Sequence, residues 1–220
     1  MISTNDFADR LVAPRDRMTA PDLLHGAWMR RSVSIDGGPG FETQSVVWLQ
    51  AGTRYADLRV PFHAAAGERC FAGRSGWDGD CYRWTHRLDL EGTDTAAADD
   101  TGDLTWEDGA VVERGIFPTP DGAVPYEEIW VRLPDADGPW QVLEAPHACL
   151  VRVGRHSITV VDRRAAGGRF AACYRVQRSG RWRIELAIGE ATPVAALPAP
   201  GDVPRDWRLV HAGDSSVVRA

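Results

Sequence analysis

An aspartate and an arginine two positions apart, Asp57 and Arg59, lie on one face of a predicted strand over residues 55–60. Alternate residues of a strand point to the same side, so the carboxylate can orient the guanidinium. An oriented guanidinium is a fixed fork suited to a carboxylate or an enolate-like oxygen of a ligand. The same pair could also be a structural ion pair that holds a sheet closed, and the spacing alone does not separate these two interpretations.

Candidate groups for moving a proton lie on other predicted strands. His86 shares a face with Trp84, and histidine titrates near neutral pH. Glu128 shares a face with two aromatic residues, and a carboxyl group in an aromatic pocket has a raised pKa and can act as a general acid. Glu113 is a second carboxyl candidate, although the alternation around it is ambiguous. Each of them could equally be a satisfied core residue or a partner of an arginine.

The strand faces that carry these residues mix polar and aromatic side chains. They could face solvent, or they could line the lumen of a barrel as a polar pocket walled by tryptophans. In the second interpretation, Arg59 binds an anionic oxygen, and His86 or Glu128 moves a proton. The ligand contacts are then made by Trp48, Gln50, Tyr55, Asp57, Trp84, Tyr126 and Trp130.

Several kinds of cofactor chemistry are excluded by composition. All 25 basic residues are arginine, so a Schiff-base lysine and a Walker-type phosphate loop are absent. The four cysteines have no zinc-type spacing and are expected to be reduced and mostly buried. No two histidines have ligand spacing, so we expect no metal and no cofactor. Haem held by His147 or His156 is one alternative, and a metal site assembled across strands is another.

Charge and hydropathy limit the partners. The net charge of −6 and the absence of a basic stripe argue against nucleic acid. No apolar run approaches the roughly 18 residues of a membrane helix, and the N-terminus has no basic and apolar segments of a secretory signal. We therefore expect a cytoplasmic protein whose partner is a small molecule, and a homodimer is compatible with the pattern.

The order of elements predicts an all-β protein. A helical lead-in is expected over residues 1–25, with short helices at 4–12 and 19–25, and a Pro- and Ala-rich tail over 191–220. Between them, over 26–190, about a dozen short strands are separated by Asp-Gly and Ser-Gly turn signals. An antiparallel barrel accommodates so long a series best, because closure removes the sheet edges. The face of Tyr82, Trp84, His86 and Leu88 is mostly apolar and is predicted to point inward. Two further faces are predicted to form an apolar inner wall: Phe170, Ala172, Tyr174 and Val176, and Trp182, Ile184, Leu186 and Ile188.

A family resemblance supports the barrel. Gly26, Ala27 and Trp28 at the head of the first strand resemble the Gly-x-Trp start of lipocalins and the wider calycin superfamily. Together with VVWLQAGTRYADLRVP (46–61), FAG (71–73), WTHRLD (84–89), YEEIWVRL (126–133) and VVDRR (160–164), the chain resembles the Hri-type barrel family over roughly 23–165. The resemblance implies a calycin-like barrel and carries no reaction with it.

The resulting functional expectation is a barrel that binds a small, anionic, aromatic or polyunsaturated organic molecule. It could convert that molecule by cofactor-free lyase, isomerase or cyclase chemistry. By analogy of fold alone, calycin-like barrels include phenolic acid decarboxylases. Two alternatives stay open: a non-catalytic carrier with the same pocket, and a protein-interaction module that docks a partner on an exposed tryptophan-rich face.

Overall fold

The computed structural model describes residues 24–63, 67–79, 81–92, 100–119, 122–189 and 203–214. The predicted helix at 4–12 and nearly all of that at 19–25 lie outside these ranges, as does most of the predicted tail. In sequence order the elements are β1 (Gly26–Ile35), β2 (Gln44–Ala51), β3 (Arg54–Pro61), β4 (Arg69–Asp78), β5 (Cys81–Asp89), β6 (Asp100–Glu107), β7 (Ala110–Thr119), β8 (Gly122–Arg132), β9 (Pro139–Ala145), β10 (Ala148–Val153), β11 (His156–Asp162), a 3₁₀ turn (Arg164–Ala166), β12 (Phe170–Arg178), β13 (Arg181–Ile188) and β14 (Arg208–Asp214).

The first eight strands form a closed antiparallel barrel in sequence order, with β8 pairing back onto β1. The prediction of an all-β antiparallel barrel is therefore confirmed. The barrel closes at residue 132, and the later strands form a separate six-stranded sheet in the order β13-β12-β11-β10-β9-β14. Residues 26–190 are thus a barrel followed by a second sheet, and part of the predicted tail is the edge strand β14.

The second sheet packs against the outside of the barrel. Outward-facing side chains of β2 and β3, such as Leu49 and Leu58, share one buried apolar cluster with inward-facing side chains of the second sheet, such as Val151 and Ile158. Burial of this large apolar area is the main force that holds the two sheets together. Glu144 of β9 adds an ion pair to Arg54 of β3, with Nε and Oε1 2.8 Å apart.

A bulge in β5 changes which of its residues face inward. In β5, Ala72 pairs with Leu88 and Gly73 with His86, so Arg87 is an extra residue. His86 therefore lies on the inner side, while Leu88 joins the core between the sheets, and the prediction that both share a face is wrong.

A similar shift divides β13. Leu186 and Ile188 pack in the core between the sheets. Ile184 pairs with Arg175 beyond the irregularity and is 44% exposed, and Trp182 lies under the guanidinium of Arg152. The predicted apolar wall of four residues is therefore wrong for its first half.

The inside of the barrel has two chemically different halves. Because the strands run up and down, odd-numbered strands end at one rim and even-numbered strands at the other. Near the rim where even strands end lies the tryptophan half, filled by Trp28, Trp48, Tyr82, Trp84, Leu104 and Trp130. The ionisable half lies near the opposite rim and contains Arg30, Asp57, Arg59, Glu113, Tyr126 and Glu128.

Candidate functional site

Arg59 and Asp57 form a two-point ion pair inside the barrel. Arg59 Nε donates to Asp57 Oδ1 at 2.9 Å, and Nη2 donates to Oδ2 at 3.3 Å. The guanidinium also lies over the ring of Phe71, 4.9 Å from its centroid. Burial disfavours the charged guanidinium, but the carboxylates of Asp57 and Glu128 outweigh it and raise the pKa of Arg59 well above its usual range. Arg59 is therefore a permanently charged group whose fork is already occupied by Asp57.

Arg30 of β1 connects two further carboxylates. It donates through Nη1 to Glu128 and through Nε to Glu42 Oε2 at 2.7 Å. Arg59 Nη1 lies 3.9 Å from the same Glu128 oxygen. Burial raises the pKa of Glu128, and the charges of Arg59 and Arg30 act in the opposite direction. Five charged groups therefore form one chain across the ionisable half, from Glu42 through Arg30, Glu128 and Arg59 to Asp57.

Glu113 of β7 is the cross-strand partner of Glu128, so two carboxyl groups face each other inside the barrel. Tyr126 Oη donates to Glu113 Oε1 at 2.8 Å, and Trp130 Nε1 donates to Oε2 at 3.1 Å. Among the described residues, no arginine forms an ion pair with Glu113. Burial, followed by the charges of Glu128 and Asp100, raises the pKa of Glu113 well above its ordinary range. These surroundings favour the protonated, neutral form of Glu113.

Two glycines provide the space for this arrangement. A Cβ atom at Gly115 would lie 2.5 Å from the ring of Tyr126, and one at Gly102 would lie 3.0 Å from Cγ of Glu113. Both distances are shorter than ordinary contacts between carbon atoms. The glycines at these strand positions allow Tyr126 and Glu113 to lie flat against the neighbouring strands.

His86 lies at the partly exposed side of the site. Its Nδ1 is 2.8 Å from Asp89 Oδ2, and its ring stacks on Phe71 with centroids 4.4 Å apart. Its Nε2 is buried and has no hydrogen-bond partner. A carboxylate on one nitrogen fixes the orientation of the ring and leaves the other nitrogen available for a proton.

A small cavity separates the tryptophan half from the ionisable half. Its free volume is about 10 Å³, which is room for one water molecule. Besides His86 Nε2, two buried atoms of this region, Tyr55 Oη and Glu128 Oε2, have no hydrogen-bond partner. Burial and the carboxylates of Asp100, Asp57 and Asp89 raise the pKa of Tyr55 well above its usual value. The cavity is lined by Trp48, Tyr55, Asp57, Arg59, Phe71, Trp84, Asp100, Glu113 and Trp130.

Most residues proposed from sequence come together in this region. Trp48, Tyr55, Asp57, Arg59, Trp84 and Trp130 line the cavity. Tyr126, Glu128 and His86 adjoin it through Glu113, Arg59 and Phe71 respectively. The polar-aromatic faces therefore point into the lumen rather than into solvent.

Gln50 is set apart from this group. Its Oε1 accepts from Trp48 Nε1 at 3.3 Å and from Ser75 Oγ at 3.0 Å, and its Nε2 donates to the carbonyl of Gly52 at 2.6 Å. With these partners on both ends of its amide, Gln50 has a structural role in the tryptophan half.

Sequence reasoning missed Arg30, Phe71, Asp89 and Asp100. A signal existed for Arg30, because it follows Trp28 by two positions in β1 and so shares its inward face. Asp89 could not be found by alternation, because the bulge at Arg87 reverses the faces of β5 between His86 and Asp89. Phe71 and Asp100 lie near the starts of β4 and β6, whose bounds the sequence defines poorly.

The alternative sites gain little support. His156 has both nitrogens engaged, by Tyr174 Oη at 2.7 Å and the carbonyl of Pro134 at 2.6 Å, and His147 is exposed in a turn. Within the described ranges, no group of His, Cys, Asp or Glu side chains is arranged to hold a metal ion.

The four cysteines are free thiols, and Cys70, Cys149 and Cys173 are buried. Trp48, Trp84 and Trp130 are buried and so form no exposed docking face. In the part of the chain that the structure covers, no helix is long and apolar enough to cross a membrane.

The fold and the site define a closed eight-stranded antiparallel barrel with an ionisable lumen and a second sheet packed on its outside. The chain belongs to the family described as Protein HRI1, whose sequence pattern matches residues 27–204. The resemblance to the Hri-type barrel family is therefore confirmed, while membership of the calycin superfamily stays a prediction. No curated protein and no solved structure matches the chain.

Proposed function

We propose that the barrel binds a small organic molecule in its lumen and moves a proton on it without a cofactor, as an isomerase or a lyase. The observation that carries this proposal is the cross-strand pair Glu113 and Glu128, two facing carboxyl groups in different environments. Pairs of titratable groups whose surroundings separate their protonation states are typical of acid–base catalysts.

The surroundings of Glu113 and Glu128 favour different protonation states and so support different roles for the two carboxyl groups. Like charges directly opposite each other on neighbouring strands are unfavourable, so the pair favours a single negative charge. Glu128 contacts Arg30 and lies 3.9 Å from Arg59, which favour its ionised form. Glu113 contacts only the neutral donors Tyr126 and Trp130. In the proposal Glu113 therefore supplies a proton to the ligand, and Glu128 removes one.

Other residues then bind and orient the ligand. The indoles of Trp48, Trp84 and Trp130 provide apolar walls that exclude bulk water, which strengthens the electrostatic interactions inside the lumen. Arg59, fixed by Asp57, stabilises charge that develops on the ligand. The side chain of His86 is 14% exposed and lies toward the solvent side, and its buried, unpartnered Nε2 can take part in proton transfer within the site.

The closed packing of the lumen sets a condition on binding. The cavity accommodates one water molecule, so a larger ligand requires movement of side chains. Arg59 and His86 are the partly exposed groups beside it, and both lie toward the rim where odd strands end. Entry at this rim, with displacement of the Arg59, Phe71 and His86 side chains, leaves the tryptophan half undisturbed.

The proposal is tested by deuterium exchange. The protein is incubated in D₂O with a panel of small enolisable ketones, unsaturated acids and amines, and deuterium incorporation is followed by mass spectrometry. We expect Glu113→Gln and Glu128→Gln each to reduce the exchange rate by about 100-fold or more, because each removes one proton carrier. The matched control is Glu127→Gln, next to Glu128 but on the outer face with Arg114. Exchange that is as fast in both lumen variants as in the wild type would contradict the proposed acid–base pair.

A non-catalytic carrier is the second candidate. The observation that favours it is the set of buried polar atoms without a partner, Tyr55 Oη, His86 Nε2 and Glu128 Oε2, because a bound polar molecule would satisfy them. Native mass spectrometry of the purified protein, with a denatured sample as control, separates the candidates. A retained organic mass without deuterium exchange supports the carrier.

A further inference from the structure

The charge balance of the lumen is negative. Among the described residues of the ionisable half, six carboxyl groups face two guanidinium groups and one imidazole. They are Glu42, Asp57, Asp89, Asp100, Glu113 and Glu128, against Arg30, Arg59 and His86. Even with Glu113 protonated and His86 charged, five negative charges exceed three positive ones. The excess of negative charge, carried by buried carboxyl groups together with the partly exposed Glu42 and Asp100, favours a cation in the space between these groups.

The arginines do not offer a free site to an anion. Arg59 is engaged at two points by Asp57, and Arg30 is shared between Glu42 and Glu128. An anionic ligand would have to displace one of these carboxylates and would then face the others. The sequence-based expectation of an anion held by Arg59 therefore conflicts with the pairing in the structure.

The apolar walls of the cavity are suited to a cation. The indoles of Trp84 and Trp130 each lie about perpendicular to Trp48, at interplanar angles of 73° and centroid distances of 6.0 and 5.5 Å. Such an arrangement surrounds a small volume with aromatic surface, and the negative faces of aromatic rings attract organic cations.

Two buried acceptors point to the same class of ligand. Tyr55, a cavity-lining residue with no exposed surface, has an unpartnered hydroxyl. Glu128, 2% exposed, has an unpartnered Oε2. Both oxygens can accept a hydrogen bond from an N–H group, and a carboxylate oxygen binds a charged donor best.

We propose that the ligand of this lumen is a small organic ammonium ion, held between the indoles and neutralised by Asp100 and Glu128. This inference rests on the binding site of the proposed function and adds the charge of its ligand. Because the free volume matches one water molecule, methylammonium is the cation that fits with least movement of side chains.

The test uses the intrinsic tryptophan fluorescence of the full chain. It is titrated with methylammonium chloride and tetramethylammonium chloride at constant ionic strength, and in parallel with sodium acetate and tert-butanol. We expect a saturable change with an ammonium ion and none with acetate or the neutral alcohol. Asp100→Asn is expected to weaken ammonium binding at least about tenfold, because it removes one nearby charge. Asp206→Asn, at an exposed turn, is the matched control for charge and is expected to bind like the wild type.

A second variant tests the role of the paired arginine. Asp57→Asn releases the fork of Arg59, so we expect ammonium affinity to fall and acetate binding to appear. Circular dichroism shows whether each variant is folded. The inference is overturned if the wild type binds no ammonium ion, if acetate binds as tightly as methylammonium, or if Asp100→Asn binds ammonium like the wild type.

The outcome is independent of the deuterium-exchange result. Exchange of an anionic or neutral compound that depends on Glu113 would keep the proposed reaction and overturn the ammonium ligand. Saturable ammonium binding without exchange would keep the ligand class and contradict the reaction.

Discussion

At the scale of single residues, the site depends on which ionisable groups have a partner. Arg59 and Glu128 are neutralised by opposite charges, whereas Glu113 has only neutral hydrogen-bond donors. Burial without a neighbouring cation favours the protonated form of a carboxyl group. This difference allows two glutamates on neighbouring strands to have opposite roles, although their residue type and inward direction are the same.

A residue-scale prediction concerns the glycine opposite Tyr126. Gly115→Ala places a methyl group about 2.5 Å from the tyrosine ring, so the ring or the strand must move. We expect a loss of about 1–3 kcal/mol in the free energy of unfolding, as for other overpacked interiors. Loss of the Tyr126–Glu113 hydrogen bond should also reduce deuterium exchange. Urea denaturation measures the first effect.

The control for this substitution is Gly76→Ala. Gly76 is also a strand glycine without positive φ, and a Cβ atom there meets no atom within 4 Å. Its unfolding free energy should stay within about 0.5 kcal/mol of the wild type. Equal losses for both glycines would show that strand glycine itself, and not the contact with Tyr126, determines the effect.

At the scale of elements, the up-and-down barrel and the polar-aromatic faces of β3 and β8 could be predicted from alternation, since both strands are regular. Alternation did not decide whether these faces point into the lumen or into solvent. The pairing at the bulge of β5 and at the irregularity of β13 could not be predicted. One extra residue reverses the strand faces there, and the hydropathy pattern does not show it. The second sheet was not expected either. Its strands alternate as barrel strands do, and local pattern does not state which strand closes the barrel.

The sequence also could not show that Arg59 and Arg30 are already paired with carboxylates. Asp57 two positions before Arg59 suggested an orienting partner, and this contact is present. Whether the fork then remains free depends on Glu128 and Arg30, which lie on strands far away in sequence. Long-range pairing of this kind is decided by register, which hydrophobic alternation specifies only to within a shift of two residues.

An element-scale prediction concerns His156, which connects β11, β12 and the turn after β8. Its Nε2 donates to the carbonyl of Pro134, so its Nδ1 accepts from Tyr174 Oη and the ring is neutral. Burial lowers the pKa of His156 below the ordinary histidine value of about 6.5. The unfolded chain therefore binds the proton more readily than the folded one, and stability falls as the pH falls through about 6.5.

We expect the wild type to lose unfolding free energy between pH 7.5 and pH 5.5, and His156→Gln to lose less over this interval. Glutamine can still donate to the carbonyl of Pro134 but does not titrate. Urea denaturation at both pH values measures the difference. An equal loss in the variant would assign the pH dependence to other groups.

At the scale of the whole molecule, the barrel and the second sheet are expected to unfold together. The outer side chains of β2 and β3, together with Cys70 and Ala72 of β4, share one buried cluster with the inner face of the second sheet. Separating the two sheets would expose this cluster to water, at about 25 cal/mol for each Å². The tryptophans that fill the lumen, by contrast, belong to the barrel alone and report its integrity.

A destabilising substitution in the second sheet should therefore also destabilise the barrel. Ile158→Ala removes a fully buried side chain of β11 from the core between the sheets, and we expect a loss of about 2–5 kcal/mol. The denaturation midpoint should shift equally when followed by tryptophan fluorescence and by circular dichroism, which senses all strands. The fluorescence includes that of the lumen tryptophans together with Trp140 of β9 and Trp182 of β13. Ile184→Ala is the matched control, because Ile184 is 44% exposed on β13, an edge strand of the same sheet. If the fluorescence midpoint stayed in place while circular dichroism shifted, the barrel would be stable without the second sheet. The lumen chemistry would then be independent of the sheet that covers the barrel.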